Sequence, residues 1–169
     1  MLRAYRFAYT LGLKIDAETV KAIGKKRKLI QSSAGERVRG EIFAGLHEIR
    51  AAQFLRDLWR IGLLQEIFPE IRQWEQVKLA LSSDFHLLDH ALQTVEAGEF
   101  LLSRFEDFFP PFVQALNEHF AQVVEEGISR KALFKFECFF HDSGKPDSRR
   151  KNPEAPGSRF LDHDQGGEK

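Results

Sequence analysis

Apolar residues recur along most of this chain at spacings of three and four, the period of a helix that buries one face. In the first segment Leu2, Tyr5, Phe7, Ala8, Tyr9, Leu11 and Leu13 follow this rule, Arg3 and Arg6 lie three apart on the flank, and the pattern predicts a helix ending near Gly12. Asp16 then stands where an N-cap accepts from the amides of the next turn, and Ile15, Val20 and Ile23 supply a second stripe up to Gly24. Ser32 or Ser33 is placed to cap a third helix. Glu36, three residues after Ser33, completes a reciprocal capping box, and Val38, Ile42, Phe43 and Leu46 face inward. Between Ala51 and Ile61 the two faces separate, with Phe54, Leu55, Leu58, Trp59 and Ile61 on one side, Arg56, Asp57 and Arg60 on the other, and Gly62 as the stop.

Pro69 interrupts the stretch 63–83, which reads as a connector holding one short helix around Ile71, Trp74 and Val77. Beyond it, Phe85 to Phe105 is one long helical pattern, Pro110-Pro111 opens the next helix, and Lys131 to Phe140 is an almost continuously apolar helix, buried on most sides. Lys145 to Gly157 is a polar loop. No segment alternates with the period of a strand and no repeat of fixed length emerges, so the fold class is all-α, with a subdomain seam in the connector.

Composition adds that 43% hydrophobic and 30% charged residues suit a soluble globular protein. Sixteen Phe against two Tyr and two Trp predict a core filled by rings that need no hydrogen-bond partner. Basic and acidic residues balance at 25 each, which excludes a whole-molecule attraction to polyanions. Nucleic acid must be met by local patches such as Lys25-Lys26-Arg27-Lys28 or Arg149-Arg150-Lys151, each of which reads equally well as a solvated helix end or loop. Cys138, in an apolar run, reads as a buried reduced thiol. Arg3, Arg6 and Lys14 interrupt every apolar stretch at the N-terminus, and nowhere is there an apolar run of about eighteen residues. The cytoplasm is the expected compartment, with no membrane partner.

The strongest local signal is His141-Asp142 at the end of a buried apolar helix, followed by Ser143-Gly144-Lys145-Pro146. Imidazole nitrogen with carboxylate oxygen suits a divalent cation, and His90, on an earlier helix, is the candidate third ligand. Such a cation would activate water for phosphoester hydrolysis near neutral pH. The competing reading has the doublet serving a helix C-terminus, although an aspartate there opposes the helix dipole and needs a cation or donor. His86, one turn before His90, competes with it as a ligand, and His163 between Asp162 and Asp164 is a further donor. Arg3, Arg6, Arg37 and Arg39 are spaced to grip phosphate through their planar forks, against which stands surface pairing with Glu36 and Glu41.

These residues carry a resemblance. The run from Leu2 to Asp16 with Glu18-Thr19 resembles the helix after the catalytic head of class II tRNA nucleotidyltransferases and bacterial poly(A) polymerases; Glu36 to Phe43 resembles their neck helix, and Leu63 to Glu70 the connector to the body. Asp89 to Glu96, His141 to Pro146 and Phe160 to His163 resemble, in that order, the HD domain fused to many of these enzymes. The resemblance implies a neck and RNA-binding subdomain over 1–70 and a C-terminally truncated HD domain over 71–169, acting in RNA 3′-end processing. RNA, above all tRNA, would be the partner, together with a nucleotide in the parent protein. The head's carboxylates would fall before Met1, so polymerisation by this chain alone is not expected and a separately encoded head joins the expected partners.

The resemblance further implies His90, His141 and Asp142 as ligands of Mg2+ or a transition metal, weakly bound because the family's later aspartate would fall beyond Lys169, with His163 and Lys145 as accessory contacts to metal or phosphate. It assigns Arg3, Arg6, Arg37 and Glu41 to RNA or nucleotide. Arg37 and Glu41 match a neck motif Arg-x-x-x-Glu-x-x-Lys whose last position is Ala44 here. Two alternatives are a freestanding HD-type metal-dependent phosphohydrolase and a non-catalytic module that binds RNA or a head.

Overall fold

The computed structural model describes residues 1–79, 84–125 and 127–146. Helix α1 (Leu2–Thr10) closes where Gly12 takes a φ of 65, which lets the Leu13 amide donate to the Ala8 carbonyl at 2.8 Å and satisfies the frayed end. The Asp16 carboxylate accepts from the Thr19 amide at 2.9 Å and starts α2 (Ala17–Lys26). A 3-10 turn (Arg27–Ser32) follows and overturns the expected capping box. It leaves Ser33 extended and puts Ala34 at the cap of α3 (Gly35–His47), so no side chain caps that helix. The Ser32 hydroxyl donates instead to the Leu29 carbonyl at 2.8 Å.

After α4 (Ala51–Arg60) the connector holds two short helices rather than one, α5 (Leu64–Ile67) and α6 (Ile71–Trp74), one on each side of Pro69. The long helix α7 (Leu87–Leu102) stops before Phe105, which begins the separate turn α8 (Phe105–Phe108). Pro110 and Pro111 open a 3-10 turn leading into α9 (Val113–Ala121). A hairpin of β1 (Val123–Glu125) and β2 (Ile128–Ser129), absent from the sequence expectation, turns at Gly127 with φ 73; strands this short leave no alternation to read. The Ser129 hydroxyl accepts from the Ala132 amide and starts α10 (Arg130–Phe140). Helices dominate the described residues, so the fold is all-α. None of these helices is long and apolar enough to cross a membrane.

One buried cluster runs from Leu2 to Phe139 and is continuous on both sides of residue 70. Within it α10 packs against α7 and α3, and α4 packs against both of these as well. The phenylalanines divide. Phe136, Phe139 and Phe140 of α10 meet Phe43, Phe68 and Trp74 at ring separations of 5.0–6.2 Å, whereas Phe7, Phe100, Phe108, Phe109 and Phe112 are exposed. Gly45 is what lets α3 and α4 touch: a Cβ there would lie 2.3 Å from the Phe54 ring. Between α7 and α10, Gly98 sits 3.2 Å from the positions of Cys138 Sγ and the Phe134 ring in the same sense.

A charge lies inside this apolar packing. Lys135 of α10 is only 1% exposed; its ammonium donates to the Glu48 carbonyl beyond the end of α3 and to Glu99 Oε1 at 3.2 Å. Glu99, on α7, accepts in turn from the Ala51 amide at the start of α4 at 2.6 Å. The cation thus meets a C-terminal carbonyl and the anion an N-terminal amide, the arrangement that helix-end partial charges favour. Four helices are joined at this point.

Candidate metal centre

The apolar stripe of α7 (Leu87, Leu88, Ala91, Leu92, Val95) turns inward against α10 and so carries His90 along the edge of the same interface. On α10, Ala132 and Phe139 are buried, and the helix ends where His141 and Asp142 enter a turn beside that edge. His90 Nε2 lies 3.2 Å from His141 Nε2 and 3.0 Å from Asp142 Oδ2, and His141 Nε2 is 3.1 Å from the same oxygen. Three atoms bound at about 2.0–2.2 Å to one cation stand about 3.0–3.4 Å apart, so this triangle has the size of a coordination face. Among the described residues, His90, His141 and Asp142 are the group able to hold a metal ion.

Hydrogen bonding fits that use. His141 Nδ1 lies 2.9 Å from the Cys138 carbonyl, which only accepts, so Nδ1 carries a hydrogen and Nε2 is the nitrogen aimed at Asp142, open to a proton or a metal ion. A lone pair facing a carboxylate oxygen at 3.1 Å is repulsive unless a cation, proton or metal, stands between them. The donor set of two nitrogens and one oxygen therefore suits a borderline or hard divalent ion. The Asp142 side chain is 6% exposed while both imidazoles remain about a third open, which leaves the group accessible from one side.

The electrostatics separate the two histidines. Burial pushes His90 below the ordinary histidine value against the pull of Asp142. His141 is raised by its hydrogen bond to Asp142, with burial opposing and the Cys138 carbonyl helping. Burial by itself would raise Asp142, but the hydrogen bonds and charges of His141 and Lys145 outweigh it and hold the carboxyl well below the usual range. Lys145 Nζ donates to Asp142 Oδ2, so this lysine of the HD-like run adjoins the group directly.

His86 does not join them. It is the N-cap of α7, its ring accepting from the backbone three residues on while Asp89 accepts from the His86 amide at 3.1 Å. An N-cap residue has extended backbone, which removes the shared helix face on which its candidacy rested. His163, Asp162, Asp164 and the Arg149-Arg150-Lys151 patch lie outside the described residues.

In the first half, Arg3 Nε and Arg6 Nε donate to the two oxygens of Glu41 at 3.0 and 2.6 Å, tying α1 to α3. Glu41 is held below its ordinary value: burial opposes this, and the Arg6 and Arg3 hydrogen bonds prevail. Arg37 shares with Arg3 and Glu41 a cleft of about 490 Å³ that Met1 and Ile30 also line. Arg39 forms a two-pronged pair with Glu125 at 2.8 and 3.0 Å. Sequence reasoning missed Lys135, since a lysine at that position looks like the polar side of an amphipathic helix. It also missed a cleft between α1, α2 and α4.

Residues 12–75 match the family model described as "Probable RNA and SrmB-binding site of polymerase A". Over 96% of its length the chain is 32% identical to a CC-adding tRNA nucleotidyltransferase of Thermus thermophilus, and over 98% it is 28% identical to an A-adding tRNA nucleotidyltransferase of Deinococcus radiodurans. A CC-adding tRNA nucleotidyltransferase of Geobacter sulfurreducens is 28% identical over 86% of the chain. The chain spans about a third of the length of these relatives, 33%, 33% and 31% respectively. With the helical architecture described above, these matches establish that the chain belongs to the tRNA nucleotidyltransferase and poly(A) polymerase family.

Proposed function

We propose that these helices hold tRNA, or an RNA like it, for 3′-end processing by a tRNA nucleotidyltransferase in the cytoplasm, working with a nucleotidyltransferase head in the same polypeptide or a separate one. The observation that carries this reading is the alignment of 96% of the chain with a CC-adding tRNA nucleotidyltransferase, reinforced by the RNA-binding family model over residues 12–75. Because the molecule has no net charge, binding must come from local cations, and affinity should fall steeply as salt rises. Fluorescence anisotropy with labelled tRNA across a salt series tests this. Binding no tighter than to a DNA duplex of equal length, or independent of salt, would end the proposal.

A second role is supported by the His90, His141 and Asp142 triangle. We assign these residues, with Lys145 beside Asp142, to an HD-type pocket for a divalent cation such as Mg2+ or a transition metal. When bound, the ion would supply Lewis acidity and a lowered pKa for water. The chain's own residues do the rest: Cys138 fixes the His141 tautomer, and Lys145 places a positive charge where a phosphoester oxygen would approach. Calorimetric titration with Mn2+, Ni2+ and Mg2+, followed by phosphodiester hydrolysis assays, distinguishes binding from activity. His163 is proposed as an accessory contact on sequence grounds alone.

A further inference from the structure

Between α1, the α1–α2 connection, α2 and α4 lies a cleft of about 470 Å³, within the range of roughly 300–1,000 Å³ typical of small-ligand sites. Ala8, Ile15, Val20 and Ile61 give it an apolar floor, and Tyr9 forms one wall. Lys14, Arg50 and Arg60 stand around it. Its one carboxylate, Asp57, is already engaged, accepting from the Tyr9 hydroxyl at 2.6 Å, from Gln53 at 3.0 Å and from Arg60 at 3.5 Å. Lys14 and Arg50 form no ion pair among the described residues, and Arg50 lies instead over the Tyr9 ring, 5.5 Å from its centre. On a chain whose charges cancel overall, three cations against one occupied anion make this a local positive site.

We propose that this cleft holds a single nucleotide of a bound RNA, its base against the apolar floor and Tyr9 and its phosphate among Lys14, Arg50 and Arg60. A planar ring needs an apolar surface beside an aromatic wall, and a phosphate needs cations in excess of the carboxylates beside it; Lys14 and Arg50 supply that excess next to the Arg60–Asp57 pair, and the cleft brings the two requirements together. The wall from Leu13 to Ile61 falls within residues 12–75, the segment that matches the RNA-binding family model, and the inference rests on the RNA-holding role proposed above. It adds the residues and the unit bound.

The test uses the full chain and a fluorescently labelled RNA hairpin with a single-stranded 3′ tail, read by anisotropy over a salt series. Lys14 and Arg60 are exposed, so K14A, R60A and the double variant should keep the wild-type circular dichroism spectrum. The double variant is expected to bind about tenfold more weakly and to lose up to about 1.4 from the slope of log K against log salt, about 0.7 for each cation withdrawn from a single-strand phosphate. K78A/R104A, which removes two exposed cations outside both the cleft and residues 12–75, should bind as wild type does. Wild-type binding that the cleft variants leave unchanged within twofold would overturn the cleft while sparing the RNA-holding role. An absence of RNA binding by the wild type would overturn both. Adenosine or cytidine monophosphate filling the cleft without competing with RNA would show a free-nucleotide site and overturn the RNA version.

Discussion

Lys135 on α10 and Glu99 on α7 form an ion pair at 3.2 Å whose outer ends close two helix termini, the Glu48 carbonyl beyond α3 and the Ala51 amide of α4. Burial pushes the Lys135 ammonium below the usual lysine value, and Glu99 pulls it back. The pair links the helices that present His90 and His141 to those that match the RNA-binding model.

Replacing Lys135 by Met should cost about 3 kcal/mol of stability, because Glu99 and the Glu48 carbonyl lose their donor in the interior. K135M/E99Q should recover part of that loss, since an amide still accepts from Ala51 without leaving a charge behind. Urea denaturation measures both. A single variant as stable as wild type would show that the pair does not matter.

Gly45→Ala should destabilise by about 1–3 kcal/mol, as a methyl group 2.3 Å from the Phe54 ring forces α3 and α4 apart. G45A/F54L should regain stability relative to G45A. Equal stability of G45A and wild type in thermal melts would contradict the packing described.

Asp142→Asn should weaken divalent-metal binding by at least about 100-fold, more than the usual loss from an outer partner. Chelation should lower the melting temperature of the metal-loaded wild type and leave D142N unmoved. His86→Ala should lose about 1 kcal/mol of stability through the cap while metal affinity stays the same. An equal loss of metal in H86A and D142N would refute the three-residue assignment.

Glu41 gives a pH signature. Its folded carboxyl lies below the ordinary 4.5, so the stability it adds is fully present above that value and disappears as acid protonates it on the way down through the lower folded value. Wild type should exceed E41Q by about 1 kcal/mol at pH 7 and by nearly nothing at strongly acid pH. A gap unchanged between pH 7 and pH 3 would exclude the Arg3 and Arg6 pairing as its source.

What could be read from the chain beforehand was what local geometry alone decides. Gly12 ends α1 because the turn needs a positive φ, and Asp16 caps α2 because its own carboxylate reaches the next turn. Ser33 and Glu36 had the right spacing, yet the preceding 3-10 turn, in which Ile30 is buried, displaced the cap by one residue, and no four-residue pattern contains that turn. His141 and Asp142 were legible as a doublet, and His90, a histidine on an earlier helix, was their candidate third ligand through its residue type and family likeness. That His86 would be spent on a cap was not, since the two histidines are chemically identical and only the helix start tells them apart. Lys135 was invisible because its partners lie 36 and 87 residues away.

The imidazole of His141 takes its orientation from the Cys138 carbonyl, a main-chain atom that every residue type possesses. No change of side chain at position 138 can erase that instruction, provided the helix end keeps its path. A survey of side chains alone would therefore pass over one of the groups that prepares this pocket for a cation, because the chain's curvature, rather than any letter of its text, transmits it.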